Sequence, residues 1–360
     1  SLLLYWVGAN ETIAWVVRPD GDVQARRIKI ARTRLAALVR DTAPFGPLKS
    51  NEAPTLRDPS AAWRQLHTLL IEPVRAALPR TPGALVTIVP HDVLANLSFA
   101  ALQDGRGRYL LEDYTLHYPP ARALFQFTAA RRQTGPRSGA LLMVSDPDAA
   151  QRSSLDAPLP RLPGARIEAA AITRQFPAGQ VQSLTGAAAT ETAVRAMAPA
   201  RSILHFAAHT VVRDDDPFAS YLALSASGHG DADGVVTAQD VYGLNVPADL
   251  VVLSSCRSAS GTVAGDGVAT FARAFLYAGT ASLVASLWEV ADEPSNRLLP
   301  AFYRAWLGGA TKAAALRRAQ LQILADLRAG RVEVSTPVGK VPVPNHPVFW
   351  AGFALFGEPD

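Results

Sequence analysis

Two residues with complementary chemistry stand at the ends of two apolar runs. RSILHFAA (201–208) leads into His209, and ADLVVLSS (248–255) leads into Cys256, the single cysteine among 360 residues. A thiol is a weak nucleophile until it loses its proton, and an imidazole is the usual base that takes it. The same imidazole can return that proton to a leaving amine. The two positions are 47 residues apart. RSASG follows Cys256 and permits a tight turn, so the amide of Cys256 could face a developing oxyanion, with a second donor from the turn at Thr210. Arg257 either favours the thiolate or points to solvent. The other reading of Cys256 is a small buried hydrophobe in an ordinary loop, a common role for a free thiol. His205 and His229 are the competing imidazoles. His205 precedes the strand end and is expected to face a layer of helices, and His229 sits in the polar loop SASGHGDADG.

The elements that must position these residues alternate through the second half. Strands are expected at 139–145, 181–186, 201–209, 221–225, 248–256 and 280–288. Helices are expected at 163–176, at 190–198 opened by Thr190, at 267–279 ended by Gly279, and at 294–307 and 311–328. Continuous apolar strands alternating with helices imply a mostly parallel sheet covered on both faces. In such a sheet ligands lie beyond the carboxyl ends of the strands, where His209 and Cys256 stand. The first half opens with a β-meander over 1–30. A helix over 31–42, a stronger one over 58–78 capped by Asp58, and a buried strand over 84–90 follow. The breaker-rich RRQTGPRSG (131–139) is the expected domain boundary.

Composition excludes several classes. The chain is 49% hydrophobic with a formal charge of +4, enough for two domains or one large core. No apolar run reaches about 18 residues, so no membrane-spanning helix is expected. No basic-then-apolar leader opens the chain. One cysteine excludes an intrachain disulfide and a cysteine-rich zinc site, and fits a reducing cytoplasm. The basic residues are spread out with no interleaved aromatics, so no direct contact with nucleic acid is expected. GxGxxG, GK[ST] and GxSxG are all absent, which argues against nucleotide binding and an α/β-hydrolase. RDDDP (213–217) lacks the alternating ligands of a calcium loop and reads as a solvated turn. Asp266 reads as an acid at a helix N-terminus.

FAAHT, VVLSSCRSASG, GDGVATFARAFLYAGTASLVASLWEVAD and HPVFWAGFALFGEPD, in that order, together resemble the CHAT family. These are caspase-like, clan CD cysteine peptidases usually fused to tetratricopeptide repeats. VPHDVLANLSFAAL and YLLEDYTLHYPPARALF resemble the segment that precedes the family's core. The resemblance implies a caspase–hemoglobinase-like α/β fold, a mostly parallel sheet flanked by helices. The catalytic domain would span 136–360, after a smaller α/β domain, degenerate and caspase-like, over 1–135. It implies a dyad carried onto His209 and Cys256, with oxyanion donors from the backbone of Thr210 and Cys256. It implies no metal and no organic cofactor, a protein substrate, and a bacterial, cytoplasmic setting. A tetratricopeptide array upstream of Ser1, or a regulatory protein partner, is expected to gate activity. The family often has Gly where Thr210 stands, and an acidic or amide residue where Arg257 stands. The expected function is a cysteine endopeptidase. The alternative is a CHAT-fold interaction or scaffold module with little or no proteolysis.

The resemblance also locates a substrate pocket, at SDPD (145–148), Ser254 and LWEVAD (287–292). Asp146 and Asp148 would favour a basic substrate residue if they point inward, or else form a strand-to-loop turn. Trp288 would floor the peptide groove, or else pack in the core.

Overall fold

A computed structural model describes residues 1–43, 56, 58–119, 139–149, 159–213, 216–226, 233–254, 257–258, 267–288, 292–336 and 339–360. Cys256, His229, Asp214, Asp215 and Asp266 therefore lie outside the described residues, as does most of the expected boundary at 131–139.

The apolar strands of the second half assemble as their patterning requires. They are β6 (Leu141–Pro147), β7 (Val181–Gly186), β8 (Ile203–Ala207), β12 (Leu250–Leu253) and β14 (Ser282–Ser286), with β17 (Phe353–Gly357). Strand order is β17-β14-β12-β8-β6-β7. Neighbours from β14 through β7 are parallel, and β17 joins β14 antiparallel. β6, β8, β12 and β14 are buried along nearly their whole length, because helices cover both faces. The chain runs from β6 outward to β7, then crosses back to place β8 on the other side of β6. This reversal puts the topological switch point between β6 and β8, at the edge where a doubly wound sheet binds its ligand.

Two strands end earlier than the sequence suggests, for a shared reason. β8 stops at Ala207, and the chain continues as β9 (Thr210–Val212) in a second sheet. β12 stops at Leu253, and its continuation is β13 (Arg257–Ser258) in that same sheet. There the order is β11-β10-β9-β13, with β10 spanning Tyr221–Ala223 and β11 Val235–Thr237. β8 and β12 thus leave the main sheet side by side, and β9 and β13 pair parallel in the next. The first crossover holds residues 208–209, and the second leaves β12 at Ser254.

The meander over 1–30 forms as β1 (Leu2–Val7), β2 (Thr12–Val17) and β3 (Val23–Ile28). With β4 (Ala84–Val89) and β5 (Tyr114–His117) they make a sheet ordered β3-β2-β1-β4-β5. Its α1 (Arg32–Asp41) and α2 (Ser60–Leu70) bury Leu35, Leu38, Val39, Trp63, Leu66 and Leu70 at helical spacing. Asp58 accepts from the Ser60 amide at 3.0 Å as α2 begins. α2 was expected to reach residue 78, but it ends at Leu70 and a 3-10 turn follows over Glu72–Ala77. Pro73 supplies no N–H and crowds the carbonyl four residues back. α3 (Leu110–Asp113) leads into β5.

Four helices matter to the site: α4 (Pro163–Thr173), α5 (Glu191–Met197), α8 (Asp292–Leu307) and α9 (Lys312–Arg328). α6 (Ala238–Tyr242) and α7 (Gly267–Tyr277) lie between α5 and α8 in the chain. Thr190 caps α5 by accepting from the Ala193 amide at 3.2 Å, as expected. One hydrophobic cluster runs from Leu3 to Phe356 and spans both main sheets, and Tyr118 bridges to Phe356 beside it. β17 and the ribbon β15 (Glu333–Thr336) and β16 (Gly339–Pro342) were not foreseen.

Candidate active site at the sheet switch point

His209 occupies the crossover between β8 and β9 and is 7% exposed. Its Nε2 stands 2.7 Å from the carbonyl oxygen of Pro160. A carbonyl can only accept, so Nε2 carries the hydrogen. In the neutral ring the basic lone pair is then on Nδ1, which sets which nitrogen can take a proton. His205, four residues earlier, is fully buried and engaged elsewhere. Its Nε2 lies 2.9 Å from Glu168 of α4 and its Nδ1 3.1 Å from the Tyr303 hydroxyl of α8. It faces the helical layer, as its place before the strand end predicts.

The chain on either side of Cys256 is described. The Ser254 amide donates to Phe206 O at 2.9 Å, and Arg257 is in register with Val211. Ser254 is buried, at 5% exposure. Thr210, the residue after His209, opens β9 opposite Leu222. Among the described non-glycine residues, positive φ occurs at Asp92 and Asp146 and not at Thr210. A β-branched residue therefore fits without strain where the family often carries Gly. The Thr210 hydroxyl is buried without a hydrogen-bond partner.

Asp146, at the end of β6, is buried and adopts φ of 45°. Its Oδ1 accepts from Arg161 Nε at 3.0 Å and from the Leu162 amide at 2.8 Å. Its Oδ2 accepts from Arg161 Nη2 and from Arg166 Nε, both at 2.6 Å. Burial pushes this carboxyl up, but the hydrogen bonds from Arg161, Leu162 and Arg166 together outweigh it and hold it below the ordinary range. Asp148 pairs with Arg161 as well, and its amide donates to the Ser225 hydroxyl at 2.8 Å. Trp288, just past β14, is half-buried against the core, and its indole N–H donates to Val348 O at 3.1 Å.

The carboxyl edge of the sheet thus gathers His209, Thr210, Asp146, Asp148, Ser254 and Trp288. Pro160, Arg161 and Arg166 were not foreseen. A backbone carbonyl has no sequence signature, and the one available hint was the segment PRLPGAR, where Pro160 and Pro163 stiffen the entry to a helix. The chemistry available is proton transfer at one nitrogen of His209, beside a strand crossover at the ligand-binding edge.

Solved structures share this architecture. The chain aligns over 99% of its length with 30% of the chain in the Saccharomyces cerevisiae separase–securin complex, at a TM-score of 0.55 and 9% identity. It aligns over 83% of its length with 67% of the Arg-specific cysteine proteinase gingipain R, at a TM-score of 0.50 and 12% identity. The fold is that of the caspase-like, clan CD class. Within it, the profile of the CHAT domain matches residues 60–358, and the chain belongs to the CHAT domain family. Curated relatives are tetratricopeptide repeat protein 28 of Mus musculus, 27% identical, and of Homo sapiens, 26% identical. Each alignment covers 82% of this chain and 13% of the relative, so the chain spans about an eighth of those proteins. Among the described residues no helix is long and apolar enough to cross a membrane.

Proposed function

We propose that the chain is a cysteine endopeptidase in which Cys256 attacks the scissile carbonyl and His209 moves the protons. The observation that carries this reading is the pairing on both sides of residue 256. Ser254 is bonded to Phe206 and Arg257 is in register with Val211, and these two partners flank the crossover that holds His209. With Nε2–H fixed on Pro160 O, Nδ1 of His209 is the base for the thiol and then the acid for the leaving amine. The amides of Cys256 and Thr210 are the proposed oxyanion donors. Ser254, Asp148 and Trp288 border the proposed subsite for the residue before the scissile bond. Asp146, expected beside them, has both carboxylate oxygens engaged.

The substrate is a protein, the setting a reducing cytoplasm, and the gate a tetratricopeptide region or a regulatory partner. The proposed division sets the sheet β3-β2-β1-β4-β5, within residues 1–135, before a catalytic unit over 136–360. The test is labelling by an electrophilic peptide probe followed by peptide mapping. Wild-type chain is expected to be labelled at Cys256 and to cleave, and Cys256→Ala to do neither while keeping its fold. Absence of labelling with every candidate partner present would leave the scaffold reading in its place.

A further inference from the structure

Asp146 is the most heavily engaged side chain near the site, and all of its partners come from one segment. A carboxylate offers about four acceptor positions, and here two donors reach each oxygen. Three of the four donors belong to Arg161 and Leu162, the two residues immediately after Pro160. The fourth, Arg166, lies in the first turn of α4. The backbone of Asp146 is held at φ of 45°, a left-handed conformation that costs a non-glycine residue energy and persists where its surroundings over-determine it. The strand end thus turns so that one buried carboxylate grips the start of 161–166. The residue just before the grip carries the carbonyl that accepts the hydrogen bond from His209 Nε2–H.

We propose that Asp146 is a positioning residue. By anchoring Arg161 and Leu162 it holds the Pro160 carbonyl against His209 and so fixes the ring's orientation and tautomer, rather than binding a basic substrate residue. Its part in turnover rests on the peptidase reading above, whereas its effect on the ring does not. A substrate guanidinium would have to displace Arg161, because the four acceptor positions are taken. Arg161 also pairs with Asp148, so it bridges both acids of SDPD and ties β6 to the segment that touches His209. Misplacing a catalytic group by about 1 Å can cost ~10²-fold in rate, so this anchor has leverage on chemistry that it does not touch.

The test is Asp146→Asn in the full chain. Asparagine keeps the shape and tolerates left-handed φ but replaces one acceptor oxygen with an N–H donor and removes the charge. The first readout is ¹⁵N NMR of labelled histidine at a pH where the ring is neutral, with His209 assigned through His209→Gln. Wild type should show His209 as the Nε2–H tautomer alone, and Asp146→Asn a mixture. The second readout is kcat and KM on matched peptides with a basic or a neutral residue before the scissile bond. A fall in kcat of ~10²-fold, with KM little changed and the basic-to-neutral ratio unaltered, supports positioning. An unchanged tautomer, or a loss confined to basic substrates, overturns it. If Asp146→Asn fails to fold, Arg161→Met and Arg166→Met remove donors from the other side; their side chains are 46% and 53% exposed, so the fold tolerates them, and the same outcomes decide. A wild-type chain that neither cleaves nor is labelled sinks the peptidase reading, and the tautomer comparison still decides the role of Asp146.

Discussion

Replacing Glu168 with alanine should loosen the contact between α4 and the sheet by a calculable amount. Glu168 is 1% exposed, and His205 and Tyr303 are fully buried. Their polar atoms form one chain. The Tyr303 hydroxyl, whose ionisation is pushed well above its ordinary range first by burial and then by Glu168, donates to Nδ1, and Nε2–H donates to Glu168. Removing the carboxylate leaves a buried N–H unpaired, with a void beside it. An orphaned buried donor costs about 1–3 kcal/mol and the void beside it adds roughly 1–2 kcal/mol, about 2–5 kcal/mol together. For 360 residues the unfolding entropy is roughly 0.75 kcal/mol per degree, so the melting temperature should fall by roughly 3–7 °C. Glu168→Gln keeps an acceptor for Nε2–H and should cost only about 1 kcal/mol, the difference between a charge-assisted and a neutral hydrogen bond. The triple change Glu168→Leu, His205→Leu and Tyr303→Phe removes every polar member and should recover most of the loss. Calorimetry on the four chains decides. If glutamine costs as much as alanine, or alanine costs less than about 1 kcal/mol, the hydrogen-bond chain does not hold α4 in place.

Two further outcomes follow from single residues. His117 is buried in β5, and burial, opposed by Asp360, lowers its pKa from 6.5 to about 4. The unfolded chain therefore binds a proton between pH 6.5 and 4 that the folded chain refuses, so stability declines as pH falls through that window and levels below it. Denaturant titrations at stepped pH should show His117→Gln escaping roughly 2–4 kcal/mol of that decline, whereas parallel curves for the two chains would refute it. Gly357, at φ of 90°, lies so close to Ala281 that an added methyl would overlap its carbonyl oxygen. Gly357→Ala should destabilise by at least ~2 kcal/mol, read as a shifted urea midpoint, and a change under about 0.5 kcal/mol would contradict the packing of β17 on β14.

The main sheet was legible because its strands are continuous apolar runs and its helices carry period-3.6 patterns. ILHFA, LVVL and SLVAS could hardly be anything but buried strands, and Thr190 announced its helix. What escaped was set by tertiary partners. β8 and β12 read as longer because the small residues that follow them, such as Ala208 and Ser254, break no strand pattern, and a change of sheet leaves no mark on the sequence. β17 was missed because FALFG is short and its strand nature comes from pairing with β14. At the site, His209 stood out by type and place, since an imidazole after an apolar strand is conspicuous. Pro160 acts through a carbonyl that every residue possesses, so no composition rule finds it. Asp146 and Asp148 were visible as acids, but their commitment to Arg161 and Arg166 depends on a contact across 13–20 residues that no spacing rule encodes.

The division of labour between side chain and backbone bears on how little sequence the fold needs. The architecture is shared with a separase chain at 9% identity over 99% of this chain. Such divergence within one fold is possible because the carboxyl edge of this sheet is built mainly by backbone: two strands that leave one sheet together and re-pair in another, and a reversal of strand order between β6 and β8. Those features tolerate almost any apolar side chains that keep the strands buried. Side-chain identity then matters in two places, at the reacting groups and at the anchors that hold irregular segments to the sheet. Asp146 is an anchor of the second kind, and its cost of left-handed backbone is offset by hydrogen bonds from the irregular Arg161–Leu162 and from Arg166 at the start of α4. A site built this way should lose function by small displacements long before it loses its fold. Exposed arginines such as Arg161 and Arg166 are therefore where an otherwise stable variant should be searched for silent loss of chemistry.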